Sequence, residues 1–235
     1  RQADHDALLA RLSGMPLFRN LTEGATLEML RHMHLEQWQR RAQVMPAVET
    51  TQKFYVLCAG RVRIEAEHPT SGRAVTLYLL GPGDSHNLVT LFDTQPHRVL
   101  AETLDATEAL SAPIERWHAW MRQYPALRLA LVRAAATRLR ELTELAEDLA
   151  LHETSARLAH LLLRHIDNED SPHHLLNGLV HDDIARLIGS VRVVVNRLLN
   201  RFKQEGVIAT EAGRIHITDL EALLHKAERH LHLRG

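Results

Sequence analysis

The spacing of apolar positions changes character three times along the chain. From residue 4 to residue 35 it follows three- and four-residue steps: Leu8 to Leu12, then Leu27 and Leu30, with His34 in the same register. That period predicts helices, and Thr22 followed by Glu23 and Gly24 suits a helix start. From about 37 to 113 short apolar runs alternate with turn residues. The run "KFYVLCAGRVRIEAEHPTSGRAVTLYLLGPGDS" reads as strand, Ala-Gly turn, strand, Pro-Thr-Ser-Gly hairpin, strand and Gly-Pro-Gly-Asp turn. "HRVLAETLDATEALSAP" adds further strands. Strands spaced this regularly indicate a small barrel or roll.

From about 114 to 167 the helical period returns. Beyond Pro125, Leu131, Ala135, Leu139, Leu142, Ala146 and Leu149 follow steps of 4, 4, 3, 4 and 3. This is close to the 3.5-residue period of a helix lying along another helix. Such a seam packs either on the chain's own β domain or on a second copy in a parallel dimer, and the dimer is the sharper expectation. "DNEDSPHHLLNG" is acidic and turn-rich and contains Pro172, so a domain boundary falls around Leu151 to Asp170. Beyond it the pattern gives helix, turn, helix, then "GVIATEAGRIHIT" as two short strands around Glu211-Ala212-Gly213, then a helix begun by Asp219 as N-cap. The expected class is α+β: N-terminal helices and a β-roll over 1–125, a dimerisation helix over 126–152, and a compact unit of helices and a strand pair over 153–235.

Composition narrows the function classes. The chain has 235 residues, is 45% hydrophobic and carries net charge −1, so attraction to nucleic acid must be local. One cysteine, Cys58, excludes a disulfide framework and a four-cysteine zinc or iron–sulfur site. It fits a reducing cytoplasm. The opening "RQADHDALLARLSGM" lacks the apolar core of a signal peptide, and no run approaches the roughly 20 residues of a membrane helix. Seventeen histidines are an unusual share.

The local positive charge sits in "HDDIARLIGSVRVVVNRLLNRFKQEGVI", which holds five basic residues and no acidic one between Ile184 and Gln204. Ala185, Gly189 and Val195 stand at offsets 0, 4 and 10. The small Ala185 lets two helices cross, Gly189 permits the turn, and Val195 fills the angle, with Ile184, Ile188 and Leu198 completing a core. This is a helix-turn-helix pattern. Its second helix would enter the major groove of double-stranded DNA with Ser190, Arg192, Val193, Asn196, Arg197 and Asn200 exposed. Arg192 and Arg197 suit guanine edges and Asn196 adenine or phosphate, whereas Arg186, Arg201 and Lys203 suit the backbone. The bland alternative is a solvated basic face of a helical hairpin. No nucleophile–base arrangement, HExxH or phosphate loop points to an enzyme.

Read whole, "HDDIARLIGSVRVVVNRLLNRFKQEGVIATEAGRIHI", preceded by "FYVLCAGRVRI" and "GPGDSHNLVTLFDTQPHRV", resembles the cyclic-AMP receptor protein/FNR family of bacterial transcription regulators. The resemblance implies a cupin-like or cyclic-nucleotide-binding-like sensor domain over 1–125 with an effector in its β-roll, a winged helix-turn-helix over 153–235, a homodimer joined on the long helix, palindromic DNA and RNA polymerase as a partner. By position Arg192 and Arg197 match the family's base-reading arginines, and Val193 falls where many members carry a cytosine-reading glutamate. The Gly-Glu and Arg-Ser pairs of cyclic-AMP binders are replaced by Asn87-Leu88 and Arg98-Val99, so cyclic AMP is not the expected effector. Iron–sulfur sensing fails on cysteine count.

Two effector readings stay open. One is heme answering to CO or NO. His86, close to where the family's CO sensor carries its axial ligand, is then the leading ligand and His97 the second; Leu88, Val89, Leu91 and Phe92 wall the porphyrin and Arg98 pairs with a propionate. Met33 and His34 are placed on the N-terminal helix nearby. The other is an effector-free or small-organic-ligand regulator. A rival function is a cyclic-nucleotide-type module acting on a protein partner. His225, His230 and His232 read as a solvated helix face, His173 and His174 as linker, and Cys58 as structural.

Overall fold

Strand alternation over residues 34–113 builds two four-stranded sheets. The computed structural model describes residues 2–46, 52–95, 98–164, 175–176, 178–211 and 214–228. The strands are β1 (His34–Trp38), β2 (Gln43–Val44), β3 (Lys53–Ala59), β4 (Val62–Glu67), β5 (Ala74–Leu80), β6 (Ser85–His86), β7 (Leu100–Thr103) and β8 (Thr107–Pro113). They order as β1-β8-β3-β6 and β2-β7-β4-β5, the expected roll. The Ala-Gly turn holds because Gly60 has φ 75°, and a Cβ there would stand 2.4 Å from the Ala106 carbonyl oxygen.

Helix α1 (Gln2–Gly14) and helix α2 (Glu23–Leu30) precede the roll, and Thr22 Oγ1 accepts from the Ala25 amide at 3.3 Å as the expected N-cap. His34 departs from expectation. The helix ends at Leu30, and His34 opens β1, paired with Ser111, with its side chain exposed. The three- and four-residue steps fail there because Leu35 and Gln37 alternate with His34 and Glu36 in strand register. A short helix α3 (Leu88–Asp93), unforeseen in the sequence, follows β6 after Asn87, whose φ is 84°.

Helix α4 (Ile114–Gln123) and helix α5 (Pro125–Leu151) follow, with Pro125 at the first helical position that its missing N–H favours. Trp117 and Trp120 are fully buried, Trp117 standing edge-on to Phe54 at 4.6 Å and to Trp120 at 5.3 Å. Leu127 and Leu131, both 0% exposed, join this core with Leu12, Phe18 and Met29. Leu131 therefore belongs to the chain's own core and not to a surface offered to a partner, because the same period serves both kinds of packing.

Strand β4 is buried on both faces. Val62 and Ile64 take one face and Arg63 and Glu65 the other. Arg63 Nε lies 3.1 Å from Glu65 and its Nη2 2.9 Å from Glu102, with the Arg63 side chain 2% exposed. Cys58 on β3 is 3% exposed, and burial pushes its thiol up to about 11 against the opposing pull of Arg11. A thiol protonated at neutral pH is inert.

The chain divides into two compact units, residues 1–66 with 78–141, and 67–77 with 142–235. The second holds helix α6 (Thr154–Arg164), helix α7 (His181–Leu187), helix α8 (Arg192–Gln204), strands β9 (Ile208–Glu211) and β10 (Arg214–Ile217), and helix α9 (Leu220–Glu228). Asp219 caps α9 through its Oδ1, 2.9 Å from the Ala222 amide. Leu158, Leu162, Ile184, Val195, Leu199, Phe202 and Leu223 form its core. No helix among the described residues is long and apolar enough to cross a membrane.

Candidate nucleic-acid interface and effector region

Helices α7 and α8 meet as the spacing predicts. Ala185 and Ile188 are 2% exposed, Val195 is fully buried, and Gly189 between them has φ 60°. The Ser190 amide donates to the Ala185 carbonyl at 2.8 Å and closes the turn. A Cβ at Gly189 would stand 2.5 Å from Leu149 Cδ2, a side-chain tip that can shift, so the positive φ is what calls for glycine. The Val180 amide donates to Asp183 Oδ2 at 3.2 Å, which anchors the start of α7.

Burial sorts α8 into two faces. Leu198, Leu199 and Phe202 turn inward with Val195, while Arg192, Val193, Asn196, Arg197, Asn200, Arg201 and Lys203 are exposed and Val194 is half-buried. Val193 is 79% exposed, a position no core requirement explains for an apolar residue. Val191, the N-cap, makes no side-chain cap bond, so the first amides of α8 remain open to an anion. Ser190 and Arg186 are half-buried beside this face, and Arg186 pairs with Asp182 at 3.7 Å. Strands β9 and β10 pair antiparallel directly afterwards, as a wing, with Glu211 opposite Arg214. The wing's turn residues Ala212 and Gly213 lie outside the described residues.

The far end of α8 is tied to α9. Glu205 accepts from Arg201 at 3.0 Å and from Lys226. The Lys226 ammonium, then Arg201, hold its carboxyl below the usual range. A depressed carboxyl contributes stability above its unfolded value of about 4.5 and loses it as pH falls through the lower folded value. Glu205→Gln should therefore lower the melting temperature near neutral pH and show a smaller further drop than the wild type on acidification from about pH 6 to pH 3.

The effector candidates are not gathered into one pocket. His86 on β6 is 1% exposed, paired opposite Tyr55 with ring centroids 6.5 Å apart. Leu88 and Leu91 enter the hydrophobic core, while Val89, Phe92 and Arg98 are exposed. His97 lies outside the described residues, as do His173, His174, His230 and His232; His225 is exposed on α9. A cleft of about 250 Å³ does open beside Leu88, lined by Arg19, Asn20, Asp84, Arg133, Arg138 and others, without His86. His86 is enclosed, whereas Phe92 on α3 is 47% exposed.

Sequence reasoning missed two charged groups: the buried Arg63 pair, and Asp148 with His152 and His160 at the end of α5. The first alternates like a half-exposed strand. The second spans a helix end and the next helix, although its Asp-x-x-x-His spacing was readable.

A Crp-like helix-turn-helix domain is recognised over residues 156–226 and a cyclic nucleotide-binding domain over 36–124. The chain is 27% identical to the CRP-like cAMP-activated global transcriptional regulator of Mycobacterium tuberculosis, over 94% of this chain and 99% of that one. It is also 27% identical to the cyclic AMP receptor protein of Thermus thermophilus, over 90% and 96%. The structure of a CooA mutant from Carboxydothermus hydrogenoformans shares the fold, with TM-score 0.71 at 21% identity over 85% of this chain and 90% of that one. With both domains in this order around one long helix, the chain belongs to the CRP/FNR family of transcription regulators.

Proposed function

We propose that the protein is a ligand-responsive, homodimeric regulator that places α8 in the major groove of palindromic DNA and acts with RNA polymerase. The observation that carries this reading is the exposed face of α8, where Arg192, Arg197 and Asn196 surround Val193 directly after a glycine turn. Arg201 and Lys203 supply backbone contacts and salt-sensitive affinity. Val132, Ala136, Leu139 and Ala146 lie on one side of α5 at helix-packing intervals, with Val132 50% and Leu139 67% exposed, and a second copy would cover them. Of the seam residues read from sequence, Leu139, Ala146 and Leu149 are exposed and Ala135 and Leu142 half-buried, while Leu131 serves the core.

The effector is a small molecule other than cyclic AMP. Two relatives are named for that nucleotide, yet here Leu88 takes the place of the family's glutamate and is 8% exposed in the core, and Val99 follows an exposed Arg98. Calorimetry should accordingly register no cyclic-AMP binding.

The DNA reading is tested by selecting bound sequences from a random pool under palindromic constraint. The wild type should enrich a half-site with thymine facing Val193, through methyl contact, and Val193→Glu should exchange that preference for a cytosine. An identical enriched half-site for both proteins removes α8 from the groove, and enrichment of nothing removes the DNA reading.

A further inference from the structure

Asp148, His152 and His160 converge where the long helix ends. The His152 amide still donates to the Asp148 carbonyl at 3.2 Å, so the two side chains sit one helical turn apart on the same side of α5. Helix α6 then returns His160 to them. His160 Nδ1 is 2.6 Å from Asp148 Oδ1, His152 Nδ1 is 3.3 Å from the same oxygen, and the imidazole rings stand nearly perpendicular at 4.6 Å. One ligand atom from each of the three residues lies within 4.8 Å of the others.

We propose that these three residues bind one divalent transition-metal ion of the zinc class, with a water completing the shell. With metal–ligand distances of about 2.0–2.2 Å, two donors on a tetrahedral ion stand roughly 3.4 Å apart. The 3.3 Å between His152 and Asp148 already matches that spacing, the His160 contact must open by roughly 0.8 Å, and the two imidazoles settle to the same spacing from within 4.8 Å. His152 Nδ1 is sealed from solvent without a hydrogen bond of acceptable geometry, so the ion would satisfy a buried nitrogen that now gains little.

The carboxylate is already held in position. Arg164 Nη2 holds Asp148 Oδ2 at 2.6 Å, leaving Oδ1 toward the imidazoles, and Glu144 lies 3.6 Å from the same guanidinium and offsets its charge. Asp148 is 5% exposed, whereas the two imidazoles keep about a quarter of their side-chain surface in solvent, which gives a path for entry. Two imidazoles and one carboxylate suit zinc, cobalt or nickel rather than magnesium or calcium.

The test uses the whole chain stripped with a chelator and titrated with Co²⁺, then Zn²⁺. One equivalent of Co²⁺ should bind and give the intense visible absorption of a four-coordinate site, which Zn²⁺ then removes. His152→Ala/His160→Ala should weaken binding by at least about 100-fold with an unchanged far-ultraviolet dichroism spectrum. His152→Gln, which leaves the Asp148–Arg164 pair untouched, should also abolish the cobalt colour. His225→Ala/His230→Ala/His232→Ala should keep it. Absence of Co²⁺ uptake, uptake that survives the double variant, or uptake lost with the tail variant overturns the site.

Discussion

Arg192→Ala/Arg197→Ala lowers affinity for the selected palindrome by roughly 30- to 10⁴-fold, since each bidentate arginine contributes about 1–3 kcal/mol of discrimination. Both side chains are exposed on α8 near its start, and neither contributes to the core that Val195, Leu198 and Phe202 fill, so folding should be unaffected. Lys203→Ala supplies the contrast. It should weaken specific and nonspecific DNA alike and reduce the salt slope by about one. Fluorescence anisotropy on selected and scrambled duplexes, at several fixed salt concentrations, reads both effects. A double arginine variant that loses affinity equally for the two duplexes would assign these side chains to phosphates instead.

The largest expected loss of stability comes from Arg63→Ala. Removing this side chain leaves Glu65, 3% exposed, without the guanidinium 3.1 Å away, and deprives Glu102 of its 2.9 Å partner. Breaking a buried ion pair by removing one partner costs about 3–5 kcal/mol. Replacing Arg63 by Met together with Glu65→Leu should cost far less, because one buried charge and its countercharge leave together while Glu102 keeps Arg41 at 3.1 Å. Urea unfolding followed by tryptophan fluorescence measures this cleanly, since Trp38, Trp117 and Trp120 all lie in the first unit. Equal losses in the single and double variants would place the energy in packing.

The recognition unit was legible because its determinants are local. A small residue, a glycine and a valine at offsets 0, 4 and 10 are the steric conditions of two crossing helices, and Ala185, Gly189 and Val195 occupy them as read. The roll was legible for the same reason, through its turns. Leu131 was not, since an apolar period close to 3.5 records that a helix side is covered and says nothing of what covers it. His34 failed because one helical step also fits the start of a strand. Arg63 and Glu65 alternate with apolar neighbours as a solvated strand would, and only the second covered face reveals them as buried. The effector residues were read from a contiguous loop, yet His86, Leu88 and Phe92 diverge because β6 ends and α3 begins between them.

The apolar row on α5 has a consequence for how the protein responds to its own abundance. In the proposed homodimer, a surface covered by a second copy makes the active species second-order in chain concentration. Below the dimer dissociation constant, halving the amount of chain quarters the occupied promoter. Leu139, exposed at the middle of that row, would then set the steepness of the transcriptional response without touching DNA or ligand.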